Sequence, residues 1–393
     1  MSIMSVGFGL WPNKVVKGVG AVKTVGSELK ELGAKERVIV FTDETLKTLP
    51  MVTELVELLK KDGFSVSVFS GISPNPTEEQ VMNAVEMMKD GKPEAVVAIG
   101  GGSSIDAAKA ANVTYTHGGY VGDYSIEIGG ITKIGPKVLP LVAIPTTAGT
   151  GTEVTMVSVI TDTKRHVKYG VLSPFIVPNV SILDPELTVS LPPAATAYTG
   201  IDALTHAIES YVSVVDFEAA NGAALQAIRM ISKNLRRAVK DGKDINARAA
   251  MLEASMMAGF AFNVNGLGLC HQTAHQLSAQ FGIPHGLANA IMLPHTMRFN
   301  MDACYQKYAD IAMFMGADIR DLSVEKAAEK SVELVEQLIS DLGIPKYLDD
   351  VNVTKDKVPA MVKEAVRDNS GMNNPKKTTE EECEKVYLGA FRS

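Results

Sequence analysis

Short apolar runs alternate with helical stretches through the first half of the chain. Val38-Ile39-Val40-Phe41, Val66-Ser67-Val68-Phe69 and Ala95-Val96-Val97-Ala98-Ile99 are β-rich and too short for helices, so they predict buried parallel strands. Between them, Thr53 to Lys61 and Thr77 to Lys89 carry apolar residues at helical spacing. Pro76 and the acidic residues behind it mark the start of the second of these helices. This βαβα order predicts a mostly parallel sheet with helices on both faces. After about residue 190 the strands stop. Pro192-Pro193 opens a tract rich in Ala, Met and Leu, with helices predicted over Glu218–Ala238, Asn246–Phe262 and Val324–Leu342. The methionines there read as core filler. The expected architecture is an α/β Rossmann-like N-terminal domain, residues 1–190, followed by an all-α C-terminal domain, residues 191–393. An active site is expected in the cleft between them. No internal repeat interrupts the pattern, and Lys376 to Lys385 reads as a solvated helix face.

Composition narrows the function classes. The 393 residues are 46% hydrophobic and 21% charged, as in ordinary globular proteins. A net charge of −7 argues against nucleic acid or an anionic membrane as the main partner. The start, Met1-Ser2-Ile3-Met4, carries no targeting pattern, and no apolar run is long enough to span a bilayer. Cys270, Cys304 and Cys383 are few, odd in number and far apart, which implies no disulfide framework and a reduced, cytoplasmic setting.

Candidate chemistry concentrates in the second half. Five of the seven histidines (206, 271, 275, 285 and 295) fall within ninety residues. Asp202 and His206 stand four apart in a segment that reads as helix from Gly200 to Val212, so both side chains share one face. His271 and His275 repeat that spacing, and His285 follows Pro284 at a predicted helix start. One such pair alone would be packing; two pairs, a further imidazole and a carboxylate together point to one divalent transition metal. His117, His166 and His295 read as ordinary polar positions, and Cys270 as buried packing.

A second constellation lies upstream. The strand at 95–99 runs straight into Gly100-Gly101-Gly102-Ser103-Ser104 and a helix, the order that lets backbone N–H groups approach a phosphate. The spacing is not that of the usual dinucleotide glycine fingerprint. A second strand-to-loop segment, Val142 to Thr152, adds the hydroxyls of Thr146, Thr147 and Thr150. The two loops together suggest a diphosphate cradle.

Gly100-Gly-Gly-Ser103-Ser-Ile-Asp106, Pro145-Thr-Thr-Ala-Gly-Thr150, Gly200-Ile-Asp-Ala-Leu-Thr-His206-Ala-Ile-Glu209, His271-x3-His275 and Pro284-His285-Gly-Leu-Ala-Asn289 occur in that order. Nearly end to end, the chain resembles the iron-containing (group III) alcohol dehydrogenases. The resemblance implies a dehydroquinate-synthase-like fold, an NAD(H) cofactor and a single Fe²⁺, with Zn²⁺ as the other metal such ligands suit. It implies Asp202, His206, His271 and His285 as metal ligands, and His275 near the reacting centre without ligating. It places Gly101, Gly102 and Ser103 at the diphosphate and Asp106 toward the nicotinamide. Asn75, Thr146, Thr147, Thr150, Thr155, Val157 and Leu187 fall along the cofactor path, and Lys168 at the nicotinamide ribose. Asp43 falls at the adenosine ribose, where a carboxylate favours NAD over NADP; as plain local structure, Thr42-Asp43 caps the following turn. Phe262, Val157 and Ser370 would face the substrate.

The implied reaction is reversible, metal-assisted hydride transfer between a small primary alcohol and its aldehyde, with His275 relaying the proton or orienting the nicotinamide. A polyol dehydrogenase, a dehydroquinate-synthase-type lyase and a non-enzymatic metal-binding assembly subunit are the rival readings. No basic cluster for a phosphorylated substrate supports the lyase. A homo-oligomer, dimer or larger, is expected.

Overall fold

The computed structural model describes residues 11–165 and 167–392; the opening Met1–Met4 and His166 lie outside them. The described chain packs as two compact units. One comprises the residues up to Thr147 together with Gly151–Ser190; the other comprises Ala148–Thr150 and the chain from Leu191 on.

The first unit is built on six strands: β1 (Lys14–Lys17), β2 (Arg37–Asp43), β3 (Ser65–Ile72), β4 (Ala95–Gly100), β5 (Leu141–Pro145) and β8 (Val180–Leu183). They pair in the order β1-β8-β5-β4-β2-β3, every pair parallel. All six residues of β4 are buried. Their side chains alternate between two cores, as a strand covered on both faces requires. Val96 and Ala98 join Ile39 and Phe41 against α3 (Glu78–Gly91) and α4 (Gly102–His117). Ala95, Val97 and Ile99 join Val38 and Val40 against α1 (Val25–Glu31) and α2 (Pro50–Lys61). A Thr77/Gln80 capping box begins α3, directly behind Pro76. After β3 the chain returns across β2 to make β4, so the strand order reverses between the carboxyl ends of β2 and β4. That switch point is where open parallel sheets bind ligands.

One element of this unit runs against the parallel expectation. β6 (Val157–Asp162) and β7 (Val167–Leu172) form a separate antiparallel pair.

The second unit is helical: α5 (Pro193–Val212), α6 (Glu218–Lys240), α7 (Ile245–Asn265), α8 (Leu269–Phe281), α9 (His285–Asn300), α10 (Tyr305–Phe314), α11 (Val324–Asp341), α12 (Val358–Ala365) and α13 (Glu380–Gly389). α5 is its axis. Every residue from Gly200 to Val212 is buried, so the helix is enclosed on all sides. It starts two turns earlier than the periodicity predicts, because Pro193 at the first position fixes the helical φ before any apolar stripe begins. The charged segment also divides: Lys376 lies before α13 and reaches Asp302, and Glu380 to Lys385 form the helix's opening turns. Among the described residues, no helix is long and apolar enough to cross a membrane.

Close approach of α9 to α5 depends on Gly286, where an added Cβ would stand 2.2 Å from the Tyr198 carbonyl oxygen. Gly286→Ala should therefore force the helices apart and cost about 1–3 kcal/mol. Gly222→Ala, on exposed α6 surface with nothing within 4 Å, should be neutral or stabilising by up to about 1 kcal/mol. Thermal unfolding of both variants checks the pair; equal Tm values would contradict the packing.

Candidate functional site

The enclosed axis helix carries three ionisable side chains on neighbouring turns. Asp202, His206 and Glu209 are each at most 6% exposed. Burying such groups is costly unless each has a partner, and each has one. His271, near the start of α8, is 1% exposed and meets Glu209, its Nδ1 lying 2.5 Å from Glu209 Oε2. Glu209 Oε1 also accepts from the backbone N–H of Cys270 at 2.6 Å. On the other side of the ring, Nε2 of His271 lies 3.2 Å from the Asn289 amide nitrogen, a pure donor. Both contacts assign the same tautomer: Nδ1 carries the proton and Nε2 keeps its lone pair.

The same Asn289 Nδ2 donates to Asp202 Oδ1 at 2.7 Å and meets His285 Nε2 at 3.2 Å. Three acceptor atoms from α5, α8 and α9 thus converge on one point. The ligand atoms offered by Asp202, His271 and His285 all lie within 4.8 Å of one another. His206 stands beside them. Its Nδ1 faces the Gly149 carbonyl at 3.2 Å, which leaves Nε2 as the acceptor, 4.0 Å from Asp202 Oδ1. The His206 ring is stacked between those of His271 and Phe262, each 4.6 Å away. Burial pushes His206 down to about 4 and His271 to about 3, so both imidazoles stay neutral at pH 7. One carboxylate and neutral imidazoles, all presenting lone pairs, are the donor set a divalent transition metal takes. The residues fit such an ion.

His275 lies on the rim of this group. Its ring stacks on that of His285 at 5.3 Å, and its Nδ1 faces Asp368 Oδ2 at 2.7 Å. Ser370 donates to Asp368 Oδ1 through its hydroxyl (2.6 Å) and its N–H (2.8 Å). Burial would raise the Asp368 carboxyl, but His275 and these two donors hold it down to about 2. Cys270 is buried, its sulfur on Asn289, in agreement with a packing role. His295 is half-buried, its Nδ1 3.5 Å from where a Gly389 Cβ would stand, and His117 accepts the Gly135 N–H through Nε2.

In the α/β unit the second constellation also assembles at one place. Gly100 has φ +153°, and a Cβ there would meet Ser104 Oγ at 2.5 Å, so this turn admits only glycine. Helix α4 then begins with Gly101 at its N-cap and no side chain capping it, which leaves its first N–H groups for an anion. Ser103 Oγ accepts from the Asn75 N–H at 3.2 Å, and Asn75 Oδ1 accepts from Lys168 Nζ at 2.8 Å. Asn75 itself has φ 60°, a conformation asparagine tolerates. Thr146 N–H donates to the Gly100 carbonyl, and Thr147 lies 3.7 Å from where a Gly101 Cβ would be. Asp43 ends β2 with Oδ1 accepting the N–H groups of Thr45 and Leu46, both at 2.9 Å. It therefore caps the next turn through one oxygen. Thr42 beside it is fully buried, and its hydroxyl has no partner among the described residues.

Thr150 packs with the helical unit. Thr155 and Leu187 are buried, and the Thr155 hydroxyl is engaged by Lys109. Phe262 and Val157 are half-buried. Glu209, Asn289, Asp368 and Lys109 carry contacts to which the sequence reading gave no role. For Glu209 the signal was present, three residues after His206 and seven after Asp202 on one helix stripe.

An acceptor-lined group that fits a divalent metal, together with a glycine turn that leaves helix N–H groups open to an anion, suits a metal-dependent, nucleotide-linked oxidoreductase. The chain belongs to the iron-containing alcohol dehydrogenase family: the model "Iron-containing alcohol dehydrogenase" matches residues 12–185, and "Fe-containing alcohol dehydrogenase family, C-terminal" matches residues 196–391. It is 39% identical to the 1,3-propanediol dehydrogenase of Klebsiella pneumoniae, over 97% of this chain and 98% of the relative. It is 38% identical to the NAD-dependent methanol dehydrogenase of Bacillus methanolicus, again over 97% and 98%. The crystal structure of a 1,3-propanediol oxidoreductase superposes with a TM-score of 0.95 at 39% identity, covering 98% of this chain and all of that one.

Glu209→Gln should weaken Fe²⁺ or Zn²⁺ binding about 10–100-fold, since His271 would lose the carboxylate that orients it. Competition with a chromophoric chelator reads this directly; an unchanged Kd would remove Glu209 from the account.

Proposed function

We propose that the chain is an NAD(H)-linked, Fe²⁺-dependent alcohol dehydrogenase and aldehyde reductase acting on a small primary alcohol. Asp202, His206, His271 and His285 hold the metal. The observation that carries this reading is the convergence of ligand atoms of Asp202, His271 and His285 within 4.8 Å of one another in the helical unit. The bound metal supplies Lewis acidity toward the alcohol or carbonyl oxygen, and the nicotinamide supplies or accepts the hydride.

The protein's own groups do the rest. Three neutral imidazoles and one carboxylate leave a divalent site with net charge +1, which favours a developing oxyanion. Glu209 and Asn289 fix the direction of the His271 lone pair. His275, backed by Asp368 and 20% exposed where His271 is 1%, takes the hydroxyl proton and passes it outward. Phe262 stacks on His206 and keeps water from that flank. Gly101, Gly102 and Ser103 hold the diphosphate at the start of α4, with Asn75 and Lys168 beside them. The second Asp43 oxygen accepts from the adenosine ribose and repels a 2′-phosphate. Three unpaired cysteines agree with a reducing, cytoplasmic setting. The likeness to a propanediol dehydrogenase favours terminal diols as a second substrate class.

The test is NADH oxidation over aliphatic, hydroxylated and acid-bearing short aldehydes. It uses metal-stripped protein, anaerobically, with Fe²⁺, Zn²⁺ or nothing returned. Turnover restored by Fe²⁺ on one aldehyde class is expected, and Asp43→Gly should raise the NADPH/NADH ratio of kcat/KM by at least about tenfold as the like-charge repulsion is removed. No turnover on any aldehyde with metal and NADH bound would contradict the reading.

A further inference from the structure

Lys109 is 1% exposed in the α/β unit, a rare place for an ammonium. It lies on α4, two turns beyond the glycine turn. Its Nζ donates to the carbonyl oxygens of Thr152 (2.6 Å), Thr155 (2.8 Å) and Val157 (2.9 Å), and meets the hydroxyls of Thr152 and Thr155 at 3.0 and 3.2 Å. Five acceptors from one six-residue stretch gather on a single cation. One turn nearer the glycines, Asp106 binds the first residue of the same stretch and the two residues that follow the stretch. Asp106 Oδ1 accepts the Thr152 hydroxyl at 2.5 Å, Oδ2 accepts the Val159 N–H at 3.1 Å, and the Asp106 carbonyl accepts Ser158 Oγ at 2.8 Å. Burial pushes the Lys109 ammonium down to about 8, against the charges of Asp106 and Glu153, so it remains charged at pH 7.

Two neighbours say which part of a dinucleotide this stretch serves. Asp106, expected toward the nicotinamide, binds Thr152 at its start. Its end runs into β6, which pairs with β7, and β7 carries Lys168, the residue expected at the nicotinamide ribose. On the NAD(H) reading, the 152–157 segment therefore serves the nicotinamide half.

We propose that Lys109 is a positioning residue for the nicotinamide half of the cofactor: it ties the 152–157 segment to the phosphate-binding helix without touching the cofactor. The inference rests on the NAD(H) reading above. A cation suits the task because an ammonium can bind several carbonyls of an irregular loop at once, which no apolar side chain could. The cost of enclosing it is met by having two carboxylates nearby.

The experiment is binding of NADH, by nicotinamide fluorescence, and of ADP, by calorimetry, to the full chain and to Lys109→Met. ADP carries the adenosine and diphosphate but no nicotinamide. The variant should bind NADH about tenfold more weakly, a loss typical of misplacement, and ADP within about twofold of the unaltered chain. Equal loss of both ligands would mean Lys109 only supports the fold, and no loss of either would mean it positions nothing; each overturns the proposal. If Lys109→Met does not fold, Thr152→Val, which removes one hydroxyl shared by Lys109 and Asp106, should give the same selective loss at about threefold. An unaltered chain that binds neither ligand would overturn the cofactor reading itself, and this inference with it.

Discussion

The structure depends on a helix that is buried on every side and yet polar along one stripe. From Gly200 to Val212, α5 exposes almost nothing, and Asp202, His206 and Glu209 sit in it as enclosed ionisable groups. Several kcal/mol would be lost for each left unpartnered. The surrounding Leu, Ile and Val side chains each contribute about 1.5–3 kcal/mol on burial, so the core can carry that cost only where partners reduce it. The partners are specific. Glu209 takes the His271 N–H, Asn289 bridges Asp202, His271 and His285, and Gly149 faces His206. Glu209 and Gly149 hold the outer nitrogens of His271 and His206, so their Nε2 lone pairs turn inward toward Asn289 and Asp202, which is the requirement for binding a cation.

The α/β unit meets a different constraint by backbone means. Its anion site needs N–H groups free of side chains, and Gly100 to Gly102 provide them where the strand order reverses. Polar side chains then fix the flanks: Asn75 and Lys168 beside Ser103, Asp43 at the end of β2, and Asp106 with Lys109 beneath the segment after β5. Rigid support behind the contacting groups is what a hydride-transfer site needs, since small displacements of the reacting atoms lose much of the rate.

Much of this was legible in the sequence, and the exceptions have physical reasons. The parallel strands and the glycine turn were readable because a strand covered on both faces must be a continuous apolar run and a phosphate turn must be glycine-rich. Asp202 with His206, and His271 with His275, were readable because helical spacing puts them on one face. The β6–β7 pair was not anticipated: it is a short antiparallel ladder set apart from the sheet whose order framed the reading. The partnership of His275 with Asp368 spans 93 residues, and no local pattern encodes it. Lys109 looked like an ordinary helix residue, since only the fold reveals that a loop closes over it.

The central claim is that one divalent metal is held by the side chains gathered around α5. The most direct measurement is an anomalous-difference map at the iron absorption edge, from crystals of the chain loaded anaerobically with Fe²⁺. One strong peak enclosed by Asp202, His206, His271 and His285 is expected. Iron bound elsewhere, or no peak from protein saturated with Fe²⁺, would contradict it.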